Sequence, residues 1–277
     1  IGRSVTPICG ILGKEDAMKL EVMICTYGNL DKVAQMQLPL VDEVGYLISC
    51  QSYPCELPDS LIRDDVKVVF SDTIGLSNNR NNAIEHATAP YGLIADDDLI
   101  FDAEGLKRIW ETFDKHPDLA VATFKAEVAG HVHPPCEWDL WKPYKNYNVA
   151  SVEIALNMAI IRREGLRFNP EFGIGAKRFT CAEENVFLLN VEKRGLTGRY
   201  FPIAICSHPH ESTGTRNQSE QGVLQAQGAY IGLKYGCTKI PRLLLKAKRT
   251  RGNFFKNLWH LCQGAIYAAR HRAQLLG

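Results

Sequence analysis

A short apolar run that stops at three carboxylates constrains this chain more than any other feature. Residues 91–95 (YGLIA) carry the signature of a buried strand, and Asp96-Asp97-Asp98 follows directly. Adjacent acids repel one another, so gathering three at a strand end costs stability unless a cation neutralises them. In open α/β sheets ligands bind outside the carboxyl ends of the strands, where this triplet would lie. Hard carboxylate oxygens suit Mg²⁺ or Mn²⁺, ions that commonly bridge to phosphates. The competing explanation is a solvated turn, or an N-cap for the helix that starts near Asp102.

The surrounding pattern alternates strand and helix. Residues 20–27 (LEVMICTY), 43–49 (EVGYLIS), 66–70 (VKVVF), 119–124 and 199–207 read as strands, and 152–162 reads as another. Residues 29–38 suit a short helix stopped by Pro39, and 77–89 are rich in helix formers. The segment 102–116 puts Leu106, Ile109, Trp110 and Phe113 on one helical face, and 182–193 turns Val186, Phe187 and Leu189 inward. This order predicts an α/β fold, an open sheet with helices on both sides. From 125 to 148 the periodicity fails. His131, Pro134, Pro135, Trp138, Trp141, Tyr144 and Tyr147 crowd a segment that reads as a long loop, and such loops are often functional.

At 277 residues, 45% hydrophobic and 23% charged, the chain is long and apolar enough for one large α/β domain and unlike a disordered protein. No apolar run is long enough to predict a membrane-spanning helix, and no secretory signal is visible. The chain starts at Ile1 rather than Met, as a trimmed product or a fragment would. Nine cysteines at irregular spacing, odd in number and without a C-x-x-C pair, predict reduced thiols in a reducing compartment. The net charge of +1 conceals an asymmetry: the first 220 residues carry 22 basic and 31 acidic side chains, and the remainder carries ten basic and none acidic.

Three further constellations carry chemistry. Residues 75–81 (GLSNNRN) offer a turn glycine, a capping Ser77 and Arg80 one turn into a helix, able to face a phosphate; a capped surface helix explains them as well. Residues 181–185 (CAEEN) open a helix after the glycine-bearing FGIG at 172–175, so Glu183 and Glu184 are either dipole-compensating acids or a general base. Residues 207–214 (SHPHESTG) follow the last strand, where a histidine is a metal ligand or a plain loop residue. His131 and His133 with Cys136 do not predict zinc, because no fourth ligand follows at zinc-like spacing.

In order, CTYGN, GLSNNRNNAI, LIADDDLIF, VASVEIAL, FGIGA with AEEN, and SHPHESTG resemble an inverting GT-A-type glycosyltransferase of family 2, of the kind found in bacterial polysaccharide biosynthesis. The resemblance covers about residues 20–214. It implies a GT-A, Rossmann-like open mixed sheet and a UDP-sugar donor with Mn²⁺ or Mg²⁺. By that resemblance Asp98 holds the metal with Asp96 as a further ligand, Asp96 lies nearer the ribose, and Asp96 and Asp97 belong to the nucleotide site. His208 is the late metal-ligating histidine, with His210 as the fallback. Thr26, Tyr27 and Gln51 reach the base, and Ser77, Arg80 and Asn81 sit over the nucleotide. Glu184 stands where the family usually has an Asp base, one methylene longer, so Glu183 and Glu184 both remain candidates. Trp138 and Trp141, with Tyr144 and Tyr147, are candidates for an acceptor platform or for packing of the loop. Glu153 either binds acceptor hydroxyls or is an ordinary strand residue.

The expected organisation is an N-terminal extension over 1–19, a catalytic domain over 20–220 and a basic amphipathic helical tail over 221–277. Ten cations without anions suit a membrane-surface helix over 239–272, drawn to anionic lipid at the inner face of the cell membrane from the cytoplasm; a helix packed on the catalytic domain is the alternative. No nucleic-acid-binding motif is present. A sugar nucleotidyltransferase would need a glycine-rich loop near the first strand, which CTYGNL lacks. A nucleotide-sugar- or carbohydrate-binding protein without catalysis is the other competing class.

Overall fold

Residues 18–52, 57–128, 131–145, 147–208 and 220–276 are described in the computed structural model. Most of the expected N-terminal extension and His210 therefore lie outside the described residues. Among the described residues nine strands form one sheet, in the order β3-β2-β1-β4-β8-β6-β9-β5, with β7 pairing on β9. The strands are β1 (Leu20–Tyr27), β2 (Val44–Gln51), β3 (Val66–Ser71), β4 (Tyr91–Asp96), β5 (Ile100–Phe101), β6 (Leu119–Glu127), β7 (Trp138–Asp139), β8 (Ile154–Asn157) and β9 (Thr197–Ser207). This open mixed sheet with flanking helices is the GT-A architecture.

The first four strands are parallel. β8 runs antiparallel to both β4 and β6, so β6 and its parallel partner β9 point the same way as β4. The carboxyl ends of β1, β4, β6 and β9 therefore share one edge. The sheet order reverses at β1 and β4, and such a switch point opens a crevice between the strands.

Each central strand is buried on both faces, which is why its sequence runs apolar rather than alternating with polar residues. In β1, Leu20, Val22 and Ile24 face a cluster with Leu106, Ile109 and Phe113 of α3 (Ala103–Lys115). Met23 and Cys25 face the opposite cluster, with Ala83 and Ile84 of α2 (Leu76–His86), Ile161 of α4 (Met158–Arg163) and Phe187 of α5 (Glu183–Lys193). Burial contributes about 1.5–3 kcal/mol for each large side chain. A short α1 (Leu30–Ala34) is capped by Asn29 and stops before Pro39. Asp102 caps α3 through a bond from the Gly105 amide.

One element differs from the sequence reading. The expected strand over 152–162 is a single 3-10 turn, a four-residue strand and then α4. Asn157 ends the strand by accepting from the Ile160 amide, an N-cap inside an apolar run that strand periodicity does not register.

The tail forms α6 (Gln221–Tyr235), α7 (Lys239–Arg249), α8 (Phe254–Arg270) and α9 (Arg272–Leu276). α6 and α8 meet through glycines. A Cβ on Gly228 would lie 2.0 Å from the Leu261 carbonyl oxygen, and one on Gly264 would lie 1.9 Å from that of Gln225. Ala226, Ala229, Leu233 and Ala268 share a cluster with Phe172, Phe179, Val186 and Leu189. The tail is thus packed onto α5 and the loop before it. Along α8, Leu261 and Ala265 are buried, Phe254, Leu258 and Cys262 are half-buried, and Ala269 is exposed. No described helix is long and apolar enough to cross a membrane.

Candidate functional site

The carboxyl edge gathers most of the chemistry-bearing residues. At the end of β1, Thr26 is buried and donates its hydroxyl to Asp97 Oδ2 at 2.6 Å. Asp97 Oδ1 receives the Lys32 ammonium of α1 at 2.5 Å, and Asp98 Oδ2 lies 3.5 Å from the same nitrogen. Burial alone would lower the Lys32 pKa, but the bond to Asp97 reverses this and leaves it raised. Asp97 is committed to holding β1 and α1 against β4. Lys32 has no motif around it to mark it in the sequence.

His208 reaches Asp98 because β5 pairs antiparallel with β9. The register Ile100↔Ser207 places residue 208 beside the carboxylates, with Nε2 3.1 Å from Asp98 Oδ1. The Glu127 carbonyl fixes the His208 amide at 3.1 Å. Asp98 Oδ1 is shielded from solvent and makes no well-directed hydrogen bond among the described residues. Two ligand atoms at right angles around an ion with bonds of ~2.1 Å lie about 3 Å apart, so Asp98 and His208 fit a hard divalent cation. Asp96, part-exposed, faces the same edge.

Arg80 links the two acidic groups. Its side chain is 1% exposed, with Nη1 2.9 Å from Glu183 Oε1 and Nη2 3.1 Å from Asp96 Oδ1. Burial alone would lower the guanidinium pKa; Asp96 and then Glu183 more than reverse this, so its charge is secure. The side chain also lies over the Phe168 ring at 5.4 Å. Arg80 is therefore spent on protein carboxylates and does not project toward a phosphate.

Glu183 and Glu184 open α5. Ala182, at φ 71°, starts this helix abruptly in the left-handed region. Gly173 makes room for the first acid: a Cβ there would meet the Glu183 carboxyl carbon at 3.2 Å, and its φ of 103° suits glycine. Glu183 is buried and held by Arg80. Glu184 is half-buried beside it, and burial followed by the Glu183 charge pushes its pKa up to about 8. Of the two candidate bases, Glu184 is the one not tied to Arg80 and the one tuned toward neutral pH.

Several residues expected to touch a ligand instead build the edge. Ser77 donates to the Phe172 carbonyl at 2.7 Å, and Asn81 exchanges hydrogen bonds with the Phe168 backbone at 2.8 Å each way. Gln51, 2% exposed, holds Thr73 and the Gly75 carbonyl at 3.1 Å each. Tyr27 is 63% exposed at the mouth of the crevice.

The acceptor candidates lie elsewhere. Trp138 pairs with Tyr200, seven residues before the end of β9, so roughly 20 Å of strand separates it from His208. Trp141 donates to the Leu196 carbonyl at 2.9 Å and packs on Gly198. The two tryptophans line a cleft of about 570 Å³ at the opposite end of the sheet. Glu153 is fully buried and accepts from His133 Nε2 at 2.6 Å, which leaves it no surface for an acceptor hydroxyl. Strand register sends the tryptophans away from the crevice, and burial withholds Glu153 from solvent.

The comparisons with known proteins agree with this architecture. A family model for glycosyl transferase family 2 matches residues 57–155, a stretch that contains α2 and the aspartate triplet. S. aureus TarS 1-349 in complex with UDP-GlcNAc is similar over 92% of this chain and 73% of its own, at 16% identity and a TM-score of 0.54. Its complex with UDP gives 92%, 72%, 16% and 0.52. A mycobacterial protein is similar over 77% of this chain and 74% of its own, at 12% identity and a TM-score of 0.53. At these identities the likeness speaks to fold. No curated protein matches the sequence.

Proposed function

We propose that this chain is an inverting glycosyltransferase of family 2 that moves a hexosyl group from a UDP-sugar to a saccharide or lipid-linked saccharide, with Mn²⁺ or Mg²⁺ bound. The observation that carries the reading is the Arg80 fork, which joins Asp96 of the aspartate triplet to Glu183 beside the candidate base. The family-model match over the triplet and the fold shared with a UDP-GlcNAc complex support it.

Asp98 and His208 would hold the cation, and Asp96 faces the ribose side. When bound, the cation offsets the negative charge that develops on the departing diphosphate. Tyr27, exposed beside Gly28, would lie against the base. Gln51 and Asn79 fix the loops around it: Asn79 accepts from Ser49 at 2.6 Å and donates to the Thr26 carbonyl at 2.9 Å. Glu184 removes the proton from the acceptor hydroxyl as its oxygen attacks the anomeric carbon, and the sugar–phosphate bond breaks on the opposite face. No protein nucleophile intervenes, so configuration inverts. Glu183, held in place by Arg80, keeps Glu184 basic by its negative charge.

The tail supports peripheral contact with anionic membrane. Ile240, Leu244 and Leu245 on α7, and Phe255, Trp259 and Ile266 on α8, are exposed among the ten cations. Truncation after Thr238 should then weaken sedimentation with anionic liposomes. Family 2 membership, a polysaccharide-building role and a cytoplasmic site at the membrane's inner face belong to the same proposal.

The test is UDP release from a panel of UDP-sugars, with Mn²⁺ and with EDTA. Metal-dependent release from one donor, lost in Asp98→Ala and Glu184→Gln, is expected. Release that survives EDTA and Asp98→Ala would refute the metal assignment. UDP–Mn²⁺ binding without turnover on any donor or acceptor would favour a binding protein.

A further inference from the structure

At the start of β8, beside the carboxyl end of β6, Glu153 sits in a setting that the proposed reaction does not use. Its side chain is 0% exposed. Oε2 is fixed by the Ala150 amide at 3.1 Å and lies 3.4 Å from the Tyr147 hydroxyl. This turns Oε1 toward two imidazoles, at 2.6 Å from His133 Nε2 and 3.8 Å from His131 Nδ1. The His133 ring is stacked on Tyr200 at 5.9 Å, which fixes its plane. One ligand atom from each of the three residues lies within 4.8 Å of the others.

We propose that His131, His133 and Glu153 bind one divalent transition-metal ion of the zinc class, at a site separate from the aspartate triplet. Two imidazoles and a carboxylate suit such an ion, whose bonds of about 2.0–2.2 Å place neighbouring ligand atoms roughly 3.3 Å apart. The 2.6 Å contact between His133 and Glu153 needs to open by less than ~1 Å, and the 3.8 Å contact to His131 needs to close by a similar amount. The bonds from Tyr147 and Ala150 orient the carboxylate as outer partners orient metal ligands. A buried carboxylate is costly unless neutralised. Among the described residues these two histidines are the groups that form ion pairs with Glu153. On binding, the proton shared by His133 and Glu153 leaves to solvent and the cation replaces it. A cleft of about 330 Å³, lined by Lys125, Glu127, His131 and His133, leaves room for an entry path and for water as the remaining ligand. The ion would tie the segment around His131 to the start of β8.

The test is titration of the full chain with Co²⁺, followed by its visible absorption, and with Zn²⁺, followed by calorimetry. One ion per chain is expected beyond any that Asp98 and His208 hold. His131→Ala and His133→Ala should each weaken its affinity more than about tenfold. Cys136→Ser should leave it unchanged, although that exposed thiol lies nearby in sequence. His208→Ala should also retain the ion. The proposal is overturned if the wild-type chain binds neither probe, if His131→Ala retains the ion, or if His208→Ala loses it. His131 lies at the surface with a 29% exposed side chain, so its variant decides the matter should His133→Ala fold poorly.

Discussion

Replacing Arg80 by Met should damage the protein in a way that reports how its charge is used. The side chain is 1% exposed and serves two carboxylates, at 2.9 and 3.1 Å. Met keeps much of the packing against Phe168 and removes the charge. Asp96, with a side chain 33% exposed, can recover water; Glu183, at 9%, cannot. The dominant cost is therefore the stranded Glu183. Removing one partner of a buried pair costs about 3–5 kcal/mol, a large share of the roughly 5–15 kcal/mol that holds a domain together. Urea unfolding at pH 7.5 should show a loss in that range. At pH 5 the loss should shrink, because the stranded carboxyl can take a proton. Glu183→Gln on the Arg80→Met background should recover most of the stability, and Arg80→Lys, whose single ammonium cannot fork, should fall between. A loss below ~1 kcal/mol at pH 7.5, or no recovery in the double variant, would refute the reasoning.

Four further outcomes follow from the geometry. Because the Glu184 pKa is raised to about 8, the base form gains population as pH rises, so kcat/KM for sugar transfer should climb toward a plateau above that value. Between about pH 4.5 and 8 the folded state holds a proton that the unfolded state has lost, so stability should fall as pH rises, by at most ~1.4 kcal/mol per unit, and Glu184→Gln should flatten this slope in pH-dependent melting. Gly228→Ala and Gly264→Ala should each destabilise by about 1–3 kcal/mol in thermal melts: helix propensity favours Ala by ~1 kcal/mol, but the added methyl meets a carbonyl at 2.0 or 1.9 Å. Lys32→Ala should tighten Mn²⁺ binding several-fold by calorimetry, since the ammonium 3.5 Å from Asp98 opposes the cation.

The sequence disclosed what depends on local pattern. Residues 91–98 located the central strand and its acidic end, and the order of motifs implied the GT-A sheet later seen. Long-range register was invisible. Nothing in RYFPIAICS states that Ile100 pairs with Ser207, the pairing that sets His208 against Asp98. Type-based reasoning also misdirected the aromatic loop, because tryptophans suit a sugar platform and an edge strand equally well. In the sequence Glu153 and the His131–His133 pair are separate features. Their junction needed the fold, because the two histidines lie on a segment without periodicity and the carboxylate comes some twenty residues later. The polar residues of α2 looked exposed because a helix with so few apolar residues resembles a surface helix; in fact Ser77, Asn79 and Arg80 are buried and bonded.

Fixed charge at the crevice also sets an order of arrival. Asp96, Asp97, Asp98 and Glu183, joined by Glu184 once it is deprotonated, face only Arg80 and Lys32 as permanent cations among the described residues. A diphosphate approaching that edge alone meets a repulsive field, whereas a divalent ion is drawn in. Under the proposed function the ion enters first or rides in with the nucleotide. The kinetic signature is a nucleotide on-rate that depends on metal concentration, and that rises rather than falls when added salt screens the metal-free site.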